Sequence, residues 1–242
     1  MLNYLLLGVA GLVIGLINGM AGGATIIAYS LLSAFGLNPV SAATTTALGA
    51  ISANFMAIRH HRDSFRTLFV ANRKLIFASI IGTLIGAYFL LTMPMYALQR
   101  LSPFLVLFAS LTLLIPPAGN EKRMSEQTET LAIFGTGVYC GYFGPGQGVM
   151  VSATLARDPH RDPSLLNATK NVIVGWTVVA SNIVFTFSGY VHWIYAGVLA
   201  LSTGIGGHFG GKFATTMSLN FYRKLILTVG LISTVWLFTK YY

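Results

Sequence analysis

Apolar runs recur along the whole chain, at about 3–20, 24–36, 40–58, 69–92, 98–118, 129–143, 147–156, 164–187, 191–214 and 219–239. Most approach the ~20 residues that a bilayer-spanning helix needs. Two are too short: at 1.5 Å per residue, 24–36 and 147–156 reach only ~20 and ~15 Å, against a hydrocarbon core of ~30 Å. Each short run follows a glycine-rich break, Gly19-Met-Ala-Gly22-Gly23 in one case and Gly141-Tyr-Phe-Gly144-Pro145-Gly146 in the other.

The breaks belong to an internal repeat. Gly15, Gly19 and Gly22 correspond to Gly137, Gly141 and Gly144 at an offset of 122. Asn38-Pro39 followed by Ala43-Thr44-Thr45 resembles Asp162-Pro163 followed by Ala168-Thr169-Lys170, and the Gly82/Gly86 pair has a counterpart in Gly206-Gly207 and Gly210-Gly211. Each half closes with a basic residue before its final apolar run, Arg100 and Arg223-Lys224. The chain therefore reads as one integral domain made by duplication, with repeats at 1–119 and 129–242 joined by a linker at 120–128. Paired interrupted helices in matching positions of two halves are the best sequence pointer to a transporter's binding site.

Composition agrees with the pattern. Of 242 residues, 55% are hydrophobic and 9% charged, too few charges for a fold of this length to face water. The net charge of +9 comes from basic residues at the ends of apolar runs, so it orients the chain in a membrane and does not signal nucleic acid. The lone Cys140 excludes an intrachain disulfide and a multi-cysteine metal site, and reads as a small packing residue. The N-terminus lacks a basic n-region and is expected to be retained as the first helix.

The positive charges decide between two topologies. With residues 1–36 and 129–156 each crossing once, the loop-associated Lys and Arg divide 8 to 6. With each broken segment returning to its own side, twelve fall inside, leaving only Arg100 and Lys240 outside, with Lys170 set apart. The second arrangement obeys the positive-inside rule. It predicts an all-α membrane protein of two inverted repeats, each a glycine-broken hairpin followed by three transmembrane helices, with both termini outside.

A helix that starts in mid-membrane offers backbone N–H groups and a partial positive charge, which suits an anion. The expected starts are Gly22, Gly23 and Thr25 in the first hairpin, and Gly144, Gly146 and Gln147 in the second. Thr44 and Thr45, and in the second half Asn167, Thr169, Lys170 and Asn171, follow at matching places and complete the candidate solute-binding set. Lys170 has two readings: an ammonium facing the solute, or a shallow lysine snorkelling to the cytosolic interface. Asn18, Asn54 and Asn182 are candidates for solute contact or interhelical bonding. All six acids lie in loops or at helix edges, which disfavours a cation substrate and carboxylate-based ion coupling. His208 is the one central titratable candidate for proton coupling, weighed against helix packing. His60 and His61 read as interfacial residues, and no metal or cofactor is expected.

The run Gly15-Leu-Ile-Asn-Gly19-Met-Ala-Gly22-Gly23, the Pro39 helix rich in Ala and Thr, and the run Gly137-Val-Tyr-Cys-Gly141-Tyr-Phe-Gly144-Pro145-Gly146-Gln-Gly148 resemble the sulfite exporter TauE/SafE family. The resemblance covers nearly the whole chain. It implies a cell-membrane permease for small sulfur-containing anions such as sulfite, sulfonates or sulfoacetate, working by alternating access, and no enzyme. Lys170 beside Thr169 departs from the small or hydroxyl residues expected there. Partners are then a small anionic solute and membrane lipid. A rival reading is a membrane-embedded enzyme acting on a lipid or polyisoprenoid phosphate, which would call for a cluster of interfacial carboxylates or histidines; here the acids are scattered.

Overall fold

The computed structural model describes residues 1–18, 23–59, 62–112, 114, 124–158, 161, 163–213 and 219–242. These form twelve α-helices and, among the described residues, no strand: α1 (Leu2–Asn18), α2 (Thr25–Ala34), α3 (Pro39–Gly49), α4 (Ile51–Arg59), α5 (Arg62–Ala71), α6 (Arg73–Thr92), α7 (Met95–Thr112), α8 (Glu126–Tyr142), α9 (Gln147–Leu155), α10 (Pro163–Thr186), α11 (Trp193–Phe213) and α12 (Leu219–Tyr241). The two short helices expected from the breaks are α2 and α9.

Two expectations differ in detail. The run at 40–58 is split at Ala50 into α3 and α4, where Gly49 lies against Leu199 and its carbonyl accepts the Thr203 hydroxyl at 2.7 Å. Ahead of α6 lies a separate helix, α5, whose charged residues keep it out of an apolar-run reading. It is divided from α6 at Asn72, whose side chain donates back to the Leu68 carbonyl at 2.9 Å.

Large apolar side chains cover the outside. Phe77, Ile81 and Tyr88 on α6, Phe104 and Phe108 on α7, Leu201 and Ile205 on α11, and Ile232 and Val235 on α12 are all exposed. Contiguous apolar surface of this extent belongs against lipid. By length and composition alone, Arg73–Thr92 and Leu165–Thr186 are helices that would cross a bilayer.

Glycine faces set the tightest packing. A Cβ on Gly82 or Gly86 would overlap the carbonyl oxygens of Phe134 and Val138, and one on Gly137 or Gly141 those of Ser79 and Thr83, so α6 and α8 lie backbone to backbone. The same mesh joins α1 to α11: Gly15 lies against the Thr203 carbonyl and Gly206 against that of Leu12. These contacts correspond one for one, since Gly15 and Gly137 are 122 apart, as are Leu12 and Phe134, while Gly82 and Gly206 are 124 apart, as are Ser79 and Thr203. Hydroxyl pairs bridge helices in both halves, Ser79 with Thr177 and Thr203 with Ser52, each at 2.8 Å, although Ser52 and Thr177 are one residue out of step with the 124 offset.

Aromatic and charged contacts tie the outer ends of the broken hairpins. Tyr4, opening α1, and Phe35, just after α2, both meet Tyr195, at 5.4 and 6.0 Å between ring centroids. At the same end Lys240 donates to the Ser33 carbonyl at 2.9 Å. For the other hairpin, Glu129 early in α8 pairs with Arg161 beyond α9 at 2.8 Å, and Glu126 pairs with Lys74 at the start of α6 at 2.6 Å.

The glycine mesh gives a direct test. Gly86→Val should destabilise the protein by about 2 kcal/mol or more, the scale of forced overpacking. Gly135 on α8 is exposed, and nothing lies within 4 Å of the place its Cβ would take. Gly135→Ala should be neutral or slightly stabilising. Thermal unfolding of both variants in detergent checks the contrast.

Candidate functional site

Four of the helix beginnings fall into two kinds. Asn38 caps α3 by accepting the Ser41 N–H at 2.8 Å, and Ser125 caps α8 by accepting that of Thr128 at 3.2 Å. The starts of α2 and α9 have no side-chain cap, and both open on one internal cavity. An uncapped start leaves first-turn N–H groups and the positive end of the helix dipole for whatever occupies that space.

The tip before α9 is held in place from behind. Gly144 and Gly146 have φ of 94° and 92°, and Gly146 also faces Ala109, 2.9 Å from where a Cβ would stand, so no other residue fits there. The Tyr139 hydroxyl donates to the Pro145 carbonyl at 2.7 Å, and the Phe143 ring meets Tyr29 edge-on at 4.7 Å. The first hairpin reaches the same space with Asn18 at the end of α1 and Gly23, with φ of 84°, before α2.

The cavity measures about 630 Å³, counted out to its open mouth. Besides the hairpin tips, it is walled by Ala43, Thr46, Ala47, Ala50 and Asn54 from the α3–α4 run and by Lys170, Asn171, Val174, Val178 and Ser181 from α10, with Cys140 from α8. The wall positions come in pairs: Asn18 with Cys140 and Thr25 with Gln147 at an offset of 122, and Thr46 with Lys170, Ala47 with Asn171, Ala50 with Val174 and Asn54 with Val178 at 124. The backbone frame is repeated while the chemistry is not.

Lys170 supplies the only formal charge among the described lining residues, and it is 2% exposed. The described carboxylates that form ion pairs, Glu126 and Glu129, sit at the far end of the molecule with Lys74 and Arg161. Gln147 is 3% exposed, and neither its Nε2 nor its Oε1 has a hydrogen-bond partner; the Thr46 hydroxyl is buried and without a partner too. Burying such groups unsatisfied costs about 1–3 kcal/mol each, so native structures keep them where a ligand or water completes them.

Of the residues expected from sequence, the structure brings Gly23, Thr25, Gly144, Gly146, Gln147, Lys170 and Asn171 to this cavity. Gly22 lies outside the described residues. Thr44 folds back on the Val40 carbonyl at 3.0 Å, and Thr45 accepts the His192 N–H at 3.0 Å, while their neighbour Thr46 takes the place on the wall. Thr169 is buried and Asn167 half-buried, and neither lines the cavity. Asn182 donates to the Ala47 carbonyl at 3.2 Å from behind that wall. His208 sits exposed on the outer face of α11 beside Phe209, away from the cavity. His60 and His61 lie outside the described residues. Among the described residues, no cluster of His, Cys, Asp and Glu has the makings of a metal site.

Comparison with known proteins follows the same outline. The family model described as Sulfite exporter TauE/SafE matches residues 7–237. The chain is 28% identical to the probable membrane transporter protein YfcA of Escherichia coli over 250 residues, covering 95% of this chain and 88% of that protein. It is 25% identical to a probable membrane transporter protein of Haemophilus influenzae, over 93% of this chain and 90% of that one. No solved structure matches the chain.

Cys140 is the only cysteine in the chain and stands on the cavity wall. It is only 6% exposed, so a small methanethiosulfonate reagent should modify it slowly in the folded protein and many-fold faster after unfolding. Mass spectrometry of the intact purified protein reads both rates.

Proposed function

Because the chain belongs to the sulfite exporter TauE/SafE family and is thus a multi-pass membrane transporter of a small solute, not an enzyme, we propose that its solute is a small sulfur-containing anion. Sulfite, a sulfonate or sulfoacetate is bound between the two hairpin tips and carried by alternating access. The observation that carries this reading is the meeting of a buried ammonium, Lys170, with two helix starts that have no side-chain cap, in a cavity whose described lining holds no carboxylate. A cation would meet repulsion there. An anion finds a charge partner, the orphan Gln147 side-chain amide and the positive ends of two helix dipoles, although the N–H groups of Ile26, Ile27, Gln147 and Val149 already donate to nearby carbonyls.

The proposed carrier is a pair of inverted repeats, 1–119 and 129–242, in the inner cell membrane with both termini outside. The matched glycine contacts support the duplication. Inversion is supported by the hairpin ends. The first hairpin begins and ends beside Tyr195 and Lys240, and the second begins and ends beside Lys74 and Arg161. Lys74 opens α6, a helix long enough to carry the chain from one of these ends to the other. Two such repeats rocking about a shared midplane site is how inverted-repeat carriers open to alternate sides. Lys170 then faces the solute and does not snorkel.

Transport of radiolabelled sulfite and sulfonates into proteoliposomes tests the substrate class; uptake of none of them would overturn it. Lys170→Ala should raise the KM for the transported anion by about tenfold or more, the worth of one charge-assisted hydrogen bond, while the variant still unfolds cooperatively in detergent. A separate measurement tests the topology. In a Cys140→Ala background, cysteines placed at Asn38 and Arg66 should label from opposite faces of the membrane.

A further inference from the structure

Resting on the reading of this cavity as an anion site, we infer that the ligand is a small organic monoanion with a neutral hydrogen-bonding tail, held in one orientation, its anionic head against Lys170 and Gln147 and its tail against Thr46. The two walls occupy equivalent places in the repeat, so a symmetric solute would be met by similar groups on both. They are dissimilar. Where one wall has Lys170, the other has Thr46; where one has Gln147, the other has Thr25; Cys140 faces the place of Asn18, and Val178 that of Asn54. Charge belongs to the α10 side alone, and the opposite side is polar and neutral.

Three consequences follow from that asymmetry. A second negative charge on the solute would sit in a buried site with no second cation among the described lining residues, a burial that is unfavourable without a partner. Two lining groups from different helices have unpartnered atoms, the Gln147 amide on α9 and the Thr46 hydroxyl on α3. A compact ion seated at Lys170 completes the first and leaves the second bare, whereas a tail carrying a hydroxyl, carbonyl or amide completes both. The wall also runs from Ala43 to Asn54 and from Lys170 to Ser181, eleven residues on each side. At the helical rise that is ~16 Å, more than one pyramidal or tetrahedral oxyanion spans. Thr46 is on this account the residue that sets specificity for the tail.

The experiment is a competition series on the intact protein in proteoliposomes, using ethanesulfonate, 2-hydroxyethanesulfonate and the dianion sulfoacetate. The hydroxylated monoanion should bind about tenfold tighter than ethanesulfonate, and sulfoacetate at least tenfold weaker than the hydroxylated monoanion, the scale set by one satisfied or orphaned polar group. Thr46→Val, which keeps the shape and removes the hydroxyl, should bring the ratio between the first two close to one. A hydroxyl preference that survives Thr46→Val, or equal binding of all three by the unaltered protein, overturns the inference and leaves the anion reading standing. Should Thr46→Val fail to fold, the ranking by the unaltered protein decides, and sulfoacetate binding as tightly as the hydroxylated monoanion is a refutation. If none of the three competes while sulfite does, the inference is overturned and the anion reading stands; if sulfite fails as well, the anion reading itself falls.

Discussion

A helix that stops inside a hydrocarbon layer must have its end covered, because lipid offers no partner for backbone N–H groups. On the proposed topology α2 and α9 both begin at such a place, and neither start has a side-chain cap. The rest of the fold answers that requirement. The glycine faces of α1 and α8 bring α11 and α6 to backbone contact beside the broken segments. The α3–α4 run and α10 close the remaining sides, and the Tyr139 hydroxyl fixes the Pro145 carbonyl so that the second tip keeps its form. Between these elements lies the cavity into which Lys170 brings the only formal charge among the described lining residues.

Within a repeated frame, function resides in the differences. Features recur at offsets of 122 and 124, including the glycine contacts and the wall positions. Side chains at those positions have diverged where they face the cavity and are alike where helices touch. Helix contact demands a missing side chain on each copy, so the glycines are constrained twice over. The cavity wall is under no such demand, and Lys170 and Thr46 differ there.

Much of this is legible in the sequence. The glycine breaks locate α2 and α9 to within a residue or two, because a helix too short to span must be paired with its break. Lys170 and Gln147 stand out as polar residues where apolar ones prevail. The wall residue among three consecutive threonines is not legible: neighbours on a helix point ~100° apart, so which one faces the cavity depends on how the helix is rotated against its partners. Thr45 accepts the His192 N–H and Thr44 turns back on its own helix, leaving Thr46 for the wall. Cys140 reads as a packing residue for the same reason, although its pairing with Asn18 at the 122 offset is a usable signal. The α5 helix escapes because its pattern is amphipathic and charged, and a continuous apolar run does not mark it.

The backbone mesh between α1 and α11 also has a history in time. Gly15 meets the Thr203 carbonyl, so the partner surface lies 188 residues further along the chain (203 − 15). At ~5–20 residues per second of synthesis, the first helix waits on the order of ten seconds or more before that surface exists. Its counterpart pair, Gly137 with Ser79, is separated by only 58 residues and docks early. The glycine groove of the newborn N-terminal helix is therefore without its partner surface for most of translation.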